Sequence, residues 1–305
     1  MTASQTALHF TCVSRNYFNM PVWIAHHAGL FRDEGLEVTI EHLEGVDEVT
    51  ERLRQGHAQL VYGISEHVVL DHEAGGPQQI IGGNINRLPF SLVSQNTIKT
   101  IGDLRGKTIG VSSLEAGSSS LIIELLKQHG LNYPDDYRME AVGPILSRWE
   151  KLQSGDIHAG LQGAPLNYIA LDKGFRSLCE PRTIIPDFQF TSLHVNQDWA
   201  SANQPILLRF MRAFIRAHRW FTENREGCRT IAMQETGIEG HYADRAWDDY
   251  VADAIFPTDG DVSTKALQSL IEISGLIRAI PNRTKTKADD YINRSYWQQG
   301  MASLS

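Results

Sequence analysis

Residues Phe18 to Gly45 read FNMPVWIAHHAGLFRDEGLEVTIEHLEG, and their pattern decides the fold. The stretch predicts a loop, a helix, a turn and a strand. Pro21 falls in the first helical turn, where proline removes only an N–H that has no intrahelical partner. Trp23, Ile24, Ala28, Leu30 and Phe31 follow at helical spacing. Gly29 and Gly35 close the helix and turn the chain, and Leu36, Val38 and Ile40 alternate as a strand. The unit then repeats. Val46 to Gln55 predicts a helix, Ala58 to Ile64 a strand, Val68 to Ala74 a helix and Gln79 to Gly83 a strand. Helices alternating with strands imply a parallel sheet, and such sheets bind ligands at the carboxyl ends of their strands.

Just upstream, His9 to Val13 predicts the first strand. Downstream, Phe90 to Val93 predicts a strand that crosses into a second body. That body continues with strand Lys107 to Val111, helix Ser118 to His129, strand Met139 to Val142, helix Leu146 to Ser154, strand Ala159 to Gln162 and helix Tyr168 to Lys173. Ile184 to Val195 is extended and carries the return crossing, Phe188 to Val195. Pro205 to Glu223 predicts a long amphipathic helix with Leu207, Phe210, Met211, Phe214 and Ile215 on its apolar face. The remainder predicts helices, broken at Pro257 to Gly260 and at Pro281. The expected organisation is discontinuous: residues 1–89 with 190–305 form lobe I, and residues 90–189 form lobe II. Two crossings make a hinge, and hinged lobes close around ligands.

A chain of 305 residues is long enough for two lobes, and 42% apolar with 21% charged residues is globular composition. Net charge is −8 without a long basic run, so no nucleic-acid partner is expected. No stretch approaches the roughly 20 apolar residues of a membrane span. Met1 to Leu8 shows neither the basic nor the apolar region of a secretory signal. This predicts a cytoplasmic protein if Met1 is the native start, and a periplasmic one if the chain is a processed or recloned mature form. Cys12, Cys179 and Cys228 form no motif. His26 and His27 diverge on a helix, and no HExxH or cysteine-pair pattern occurs, so neither a metal nor a cofactor is expected.

Loops at the carboxyl ends of strands supply the candidate site. Arg15, Asn16, Tyr17 and Phe18 follow the first strand. Arg15 suits two-pronged pairing with a carboxylate, sulfonate or phosphate, and Tyr17 and Phe18 suit ring stacking. Equally, Arg15 reads as a surface charge and Phe18 as a helix staple. Ser65, Glu66 and His67 open the next helix. Ser65 suits a helix cap and Glu66 the positive end of the helix dipole. In a cleft, Glu66 would bind a ligand amine, and His67 would donate a hydrogen bond or act as general acid or base. Gly117, Ser118 and Ser119, between a strand and a helix, offer amides and hydroxyls to an anion, although no Walker loop is present. Gln162 and Asn167 repeat the logic on the next strand. Thr191 and Ser192, on the return crossing, either reach the cleft or brace the hinge.

Asn16 to Glu44 also resembles the opening of the SsuA/THI5-like (NMT1-like) group of periplasmic-binding-protein folds. The resemblance continues through Leu53, Gln55, Gly56, Ala58 and Leu60, then Asp103 to Gly110, then Leu152, Gly155, Asp156 and Ala159. It reaches Trp199 to Trp220 and spans about residue 8 to about residue 225. It implies an α/β, two-lobed periplasmic-binding-protein-like (type II) fold with a ligand cleft between the lobes. It implies a binding protein of the ABC-transporter type, with an ABC permease as partner. The ligand would be a compact organic molecule with a polar or anionic head, such as a sulfonate, carboxylate or pyrimidine-like compound.

The alternative on this fold is a soluble decarboxylase- or desulfinase-like lyase using Glu66 and His67, or Cys12. Two enzymes of the group bear on it. In the pyrimidine synthase, His67 would fall near a histidine consumed in the reaction. The lysine that would hold the cofactor is Gly63 here, and the expected cysteine cluster is replaced by Phe188-Gln-Phe-Thr-Ser-Leu193. In the aromatic desulfinases a nucleophilic cysteine follows the first strand, near Cys12. Their arginine–glycine–glycine run is not reproduced at Val61 to Gly63, so Cys12 reads as a structural thiol.

Overall fold

The structure is a computed structural model and describes residues 5–114, 117–274 and 287–304. The first half of the chain runs β1 (Thr6–Val13), α1 (Met20–His27), α2 (Leu30–Asp33), β2 (Leu36–Leu43), α3 (Val46–Arg54), β3 (Leu60–Ile64), α4 (Ser65–Glu73) and β4 (Gln78–Gly83). It then crosses into β5 (Phe90–Ser94), β6 (Thr108–Val111), α5 (Ser118–Lys127), β7 (Arg138–Ala141), α6 (Ile145–Ser154), β8 (Ala159–Gly163), α7 (Leu166–Asp172) and β9 (Arg176–Cys179). The chain returns as β10 (Thr191–Asn196). It continues with α8 (Gln197–Ala202), α9 (Gln204–Glu223), α10 (Arg225–Thr236), α11 (Gly240–Ala252), α12 (Thr264–Ser274) and α13 (Ser295–Ala302). The break expected at Pro281 lies outside the described residues.

Two five-stranded sheets result, in the orders β2-β1-β3-β10-β4 and β7-β6-β8-β5-β9. Each sheet, with the helices that cover it, is called a lobe below. The sheets are mixed rather than parallel. β10 runs antiparallel to β3 and β4, and β5 runs antiparallel to β8 and β9. These are the two strands that follow the crossings. A chain crossing over enters the new sheet from the end toward which its neighbours point, so it runs against them. Alternation of helices and strands does not carry that reversal.

Local differences have local causes. The helix around Trp23 is split, because Gly29 at φ 75° turns the chain between α1 and α2 without a Cβ clash. Ser65 does not cap α4. Ile64 holds the cap position, and the Ser65 hydroxyl bonds the Ser192 hydroxyl of β10 at 2.8 Å instead. Packing follows periodicity on α9, where Leu207, Phe210, Met211 and Phe214 are all buried. Burial of each such side chain contributes about 1.5–3 kcal/mol. Phe10 of β1 meets Tyr62 of β3 at 5.1 Å and Phe210 at 5.9 Å between ring centroids. That core fixes the ends of β1 and β3, where the site begins.

Candidate functional site

A cavity lies between the two sheets, with walls from both. Val13 and Ile64 end β1 and β3, Ser112 follows β6, and Thr191 opens β10, so the cavity sits at strand ends as the strand pattern predicts. Phe18, Tyr62, Phe190 and Ile145 give it an apolar body. Phe18 stands edge-on to Phe90 and Phe190, at 5.7 and 6.1 Å between centroids. Its free volume is about 30 Å³.

The charged group on this cavity is Arg148 of α6. It is 1% exposed. Its Nη1 donates to Ser118 Oγ at 2.9 Å, while Nε is buried without a partner. None of the ion pairs among the described residues includes it. Burial lowers its pKa to about 10, so the guanidinium stays charged at neutral pH. Two glycines make room for its stem. Gly110 of β6 and Gly160 of β8 are register partners, and a Cβ at Gly160 would lie 2.9 Å from Arg148 Cδ. Arg148 falls in the apolar stripe Ile145, Arg148, Trp149, Leu152, at helical positions i, i+3, i+4 and i+7. A lone arginine in such a stripe is the sequence signal for this residue, which lies on a helix rather than in a strand-end loop.

Ser118, expected at an anion site, is brought beside Arg148. Its hydroxyl accepts from the Ser112 amide at 2.8 Å as well as from the guanidinium. Ser119 is buried in the same first turn. Gly117 precedes α5 at φ 75° and ψ −116°, a conformation that glycine alone adopts readily. Its amide donates to Glu66 Oε2 at 2.7 Å, a hydrogen bond that joins the two lobes. The Glu66 carboxyl is buried, with Ser274 also beside it. Burial pushes the Glu66 carboxyl up to about 7, with Ser274 and the Gly117 amide pulling the other way.

The other expected residues divide. Asn16, Phe18 and Thr191 line the cavity. Asn16 Oδ1 accepts from the Phe18 amide at 2.9 Å, and Thr191 Oγ1 accepts from Asn84 Nδ2 at 3.1 Å. Arg15 does not line it. Ser14, at φ 55°, turns the chain after Val13, and the Arg15 guanidinium pairs with Glu235 and His42. Tyr17 is buried outside the cavity, its ring 4.9 Å from Tyr250. Ser65 is held by Ser192, which bonds His194 Nε2 at 2.8 Å. Gln162 is fully buried with neither amide atom partnered, and Asn167 lines a separate cavity. Loop reading missed Asn19, Tyr62 and Asn84, which also line the first cavity.

The expected reactive groups stand apart from one another. His67 bonds Thr50 Oγ1 through Nδ1 at 2.7 Å and lies 3.4 Å from Asp47 through Nε2, in a different groove. Burial lowers its pKa. Cys12 is buried within β1, its thiol 3.6 Å from the Glu41 carbonyl of neighbouring β2, and burial raises its thiol pKa strongly. At Gly63 a Cβ would lie 2.9 Å from His194 Cε1 and Nδ1, so the lysine of the pyrimidine synthases does not fit here. Among the described residues, no cluster of three or more His, Cys, Asp or Glu could hold a metal ion.

The NMT1/THI5-like family model matches residues 16–227. The chain belongs to this family. A family relative, the 4-amino-5-hydroxymethyl-2-methylpyrimidine phosphate synthase of Aspergillus parasiticus, is 25% identical over 217 residues, covering 66% of this chain and 62% of that protein. The chain thus spans less than two thirds of that relative. The alkanesulfonate-binding protein SsuA from Xanthomonas axonopodis pv. citri, bound to MOPS, superposes with a TM-score of 0.75 at 18% identity, over 96% of this chain and 100% of SsuA. The periplasmic nitrate-binding protein NrtA from Synechocystis PCC 6803 gives a TM-score of 0.80 at 12% identity, over 99% and 89%. The NMT1/THI5-like chain therefore has the two-lobed α/β fold of periplasmic binding proteins. No helix among its described residues is long and apolar enough to cross a membrane.

Proposed function

We propose that this NMT1/THI5-like chain is a small-molecule binding protein of the ABC-transporter substrate-binding type. Its ligand is a compact organic monoanion, a sulfonate or carboxylate, with an apolar body. The observation that carries this reading is Arg148, a buried guanidinium on the cavity wall without a carboxylate partner. An uncompensated buried charge is costly, and an anionic ligand would neutralise it with charge-assisted hydrogen bonds. The apolar body would lie among Phe18, Tyr62, Phe190 and Ile145. Because the free volume is only about 30 Å³, the lobes part to admit the ligand and close over it. A permease would then receive the ligand from the closed protein.

The described lining holds no cysteine, histidine or carboxylate, which favours binding over lyase chemistry. The alkanesulfonate-binding protein SsuA and the nitrate-binding protein NrtA support the class at the level of the fold. Native mass spectrometry with propanesulfonate, benzoate and their neutral amides tests the reading. The expected result is a one-to-one complex with an anion, no complex with its amide, and a ligand mass that stays constant on incubation. Equal capture of anion and amide would refute the anion site. Conversion to a lighter product would establish the lyase instead.

A further inference from the structure

A second cavity, of about 200 Å³, shares no lining residue with the first. Phe90 meets Phe18 and Phe190 of the first cavity edge-on, and its chain neighbours Pro89 and Ser91 line the second. Both lobes contribute: Ser91 and Asn167 come from β5 and α7, and Tyr250 from α11.

Several charged groups around this cavity are engaged with neighbours. Arg182 pairs with Glu180 at 3.0 Å and Asp253 at 2.9 Å. Asp249 accepts from the Tyr168 hydroxyl at 2.6 Å, and Arg245 lies 4.1 Å over the Tyr168 ring. The groups left without partners are neutral. Asn167 Oδ1 and the Tyr250 hydroxyl are buried and unpaired, in residues only 8% and 2% exposed. Both amide atoms of Gln162 are unpaired as well. Gln162 is the antiparallel register partner of Ser91, so its side chain leaves the same sheet face, although it does not line the cavity. Native proteins rarely leave several buried polar atoms unsatisfied in one place without a ligand or ordered water to meet them.

We infer that this second cavity is a binding site for a neutral polyhydroxylated molecule of monosaccharide size. Amides and phenols each donate and accept, as ligand hydroxyls do, and the buried groups without partners carry no charge to hold an ion. The rings of Tyr168 and Tyr250 offer the apolar surface on which the C–H face of such a molecule packs. Gripped from both lobes, it would favour the closed form independently of the anion.

Saturation-transfer NMR on the full chain with D-ribose, D-glucose and myo-inositol tests this. Transfer to at least one of the three is expected, abolished in Asn167→Leu and weakened at least about five-fold in Tyr250→Phe, which deletes a single buried oxygen. Circular dichroism checks that both variants fold. Excess propanesulfonate should not reduce the signal, which separates this site from the anion cavity. Absence of transfer from all three, survival of the signal in both variants, or displacement by propanesulfonate would each overturn the inference. The first of these outcomes would mean that ordered water alone fills the cavity.

Discussion

At the scale of single residues, Arg148 makes a prediction that a structural arginine would not. Removing a charge that holds an ion pair destabilises a protein, whereas removing a buried charge without one stabilises it. Arg148→Met should therefore raise the unfolding free energy of the ligand-free protein by about 1–3 kcal/mol in urea denaturation. A loss of stability would show that Arg148 is already satisfied. Of the residues the sequence singles out, Asn16, Phe18 and Thr191 line the cavity, whereas Arg15 and Tyr17 do not. The φ of 55° at Ser14 and the pairing with Glu235, 220 positions away, decide where those side chains go. Neither fact has a local signature.

At the scale of elements, α6 and the glycine pair beneath it form one unit. Gly160→Ala brings a methyl group to within 2.9 Å of Arg148 Cδ and must push the arginine off its seat. Such overpacking should cost about 1–3 kcal/mol. In the double variant Gly160→Ala with Arg148→Met, the flexible methionine accommodates the methyl, so the two effects should not add. Additivity would show that the glycine serves something else. The register partnership of Gly110 and Gly160 was not readable from the sequence, because β6 and β8 are separated by β7 and two helices.

The contact between α4 and the loop before α5 predicts a pH dependence. The Glu66 carboxyl sits at about 7 against an ordinary 4.5, raised by burial. The folded state thus keeps a proton that the unfolded state releases. The stabilisation from that proton is full below about pH 4.5 and is lost as the pH rises through about 7. Measured against Glu66→Gln, wild type should lose about 3 kcal/mol between about pH 5 and about pH 8, at roughly 1.4 kcal/mol per pKa unit. Parallel pH profiles for the two proteins would place the Glu66 titration elsewhere.

At the scale of the whole molecule, alternation and the glycine turns of Phe18 to Gly45 carried the α/β class and pointed to the strand ends, where the cavity lies. Two things stayed hidden: the reversal of β5 and β10, and the compartments between the lobes. Reversal depends on which sheet the chain enters, and compartments depend on rings such as Phe18, Phe90 and Phe190 meeting from distant positions. If the lobes open to admit an anion, small-angle scattering should show the radius of gyration fall when a bound sulfonate is added. An unchanged radius would mean a rigid cleft filled by another route. The central claim, that Arg148 anchors an anion, is tested most directly by calorimetric titration. Wild type and Arg148→Met would be titrated with whichever anion binds in native mass spectrometry. Loss of a charge-assisted, desolvated contact predicts roughly 30- to 100-fold weaker binding in the variant. Affinities within about two-fold of each other would contradict it.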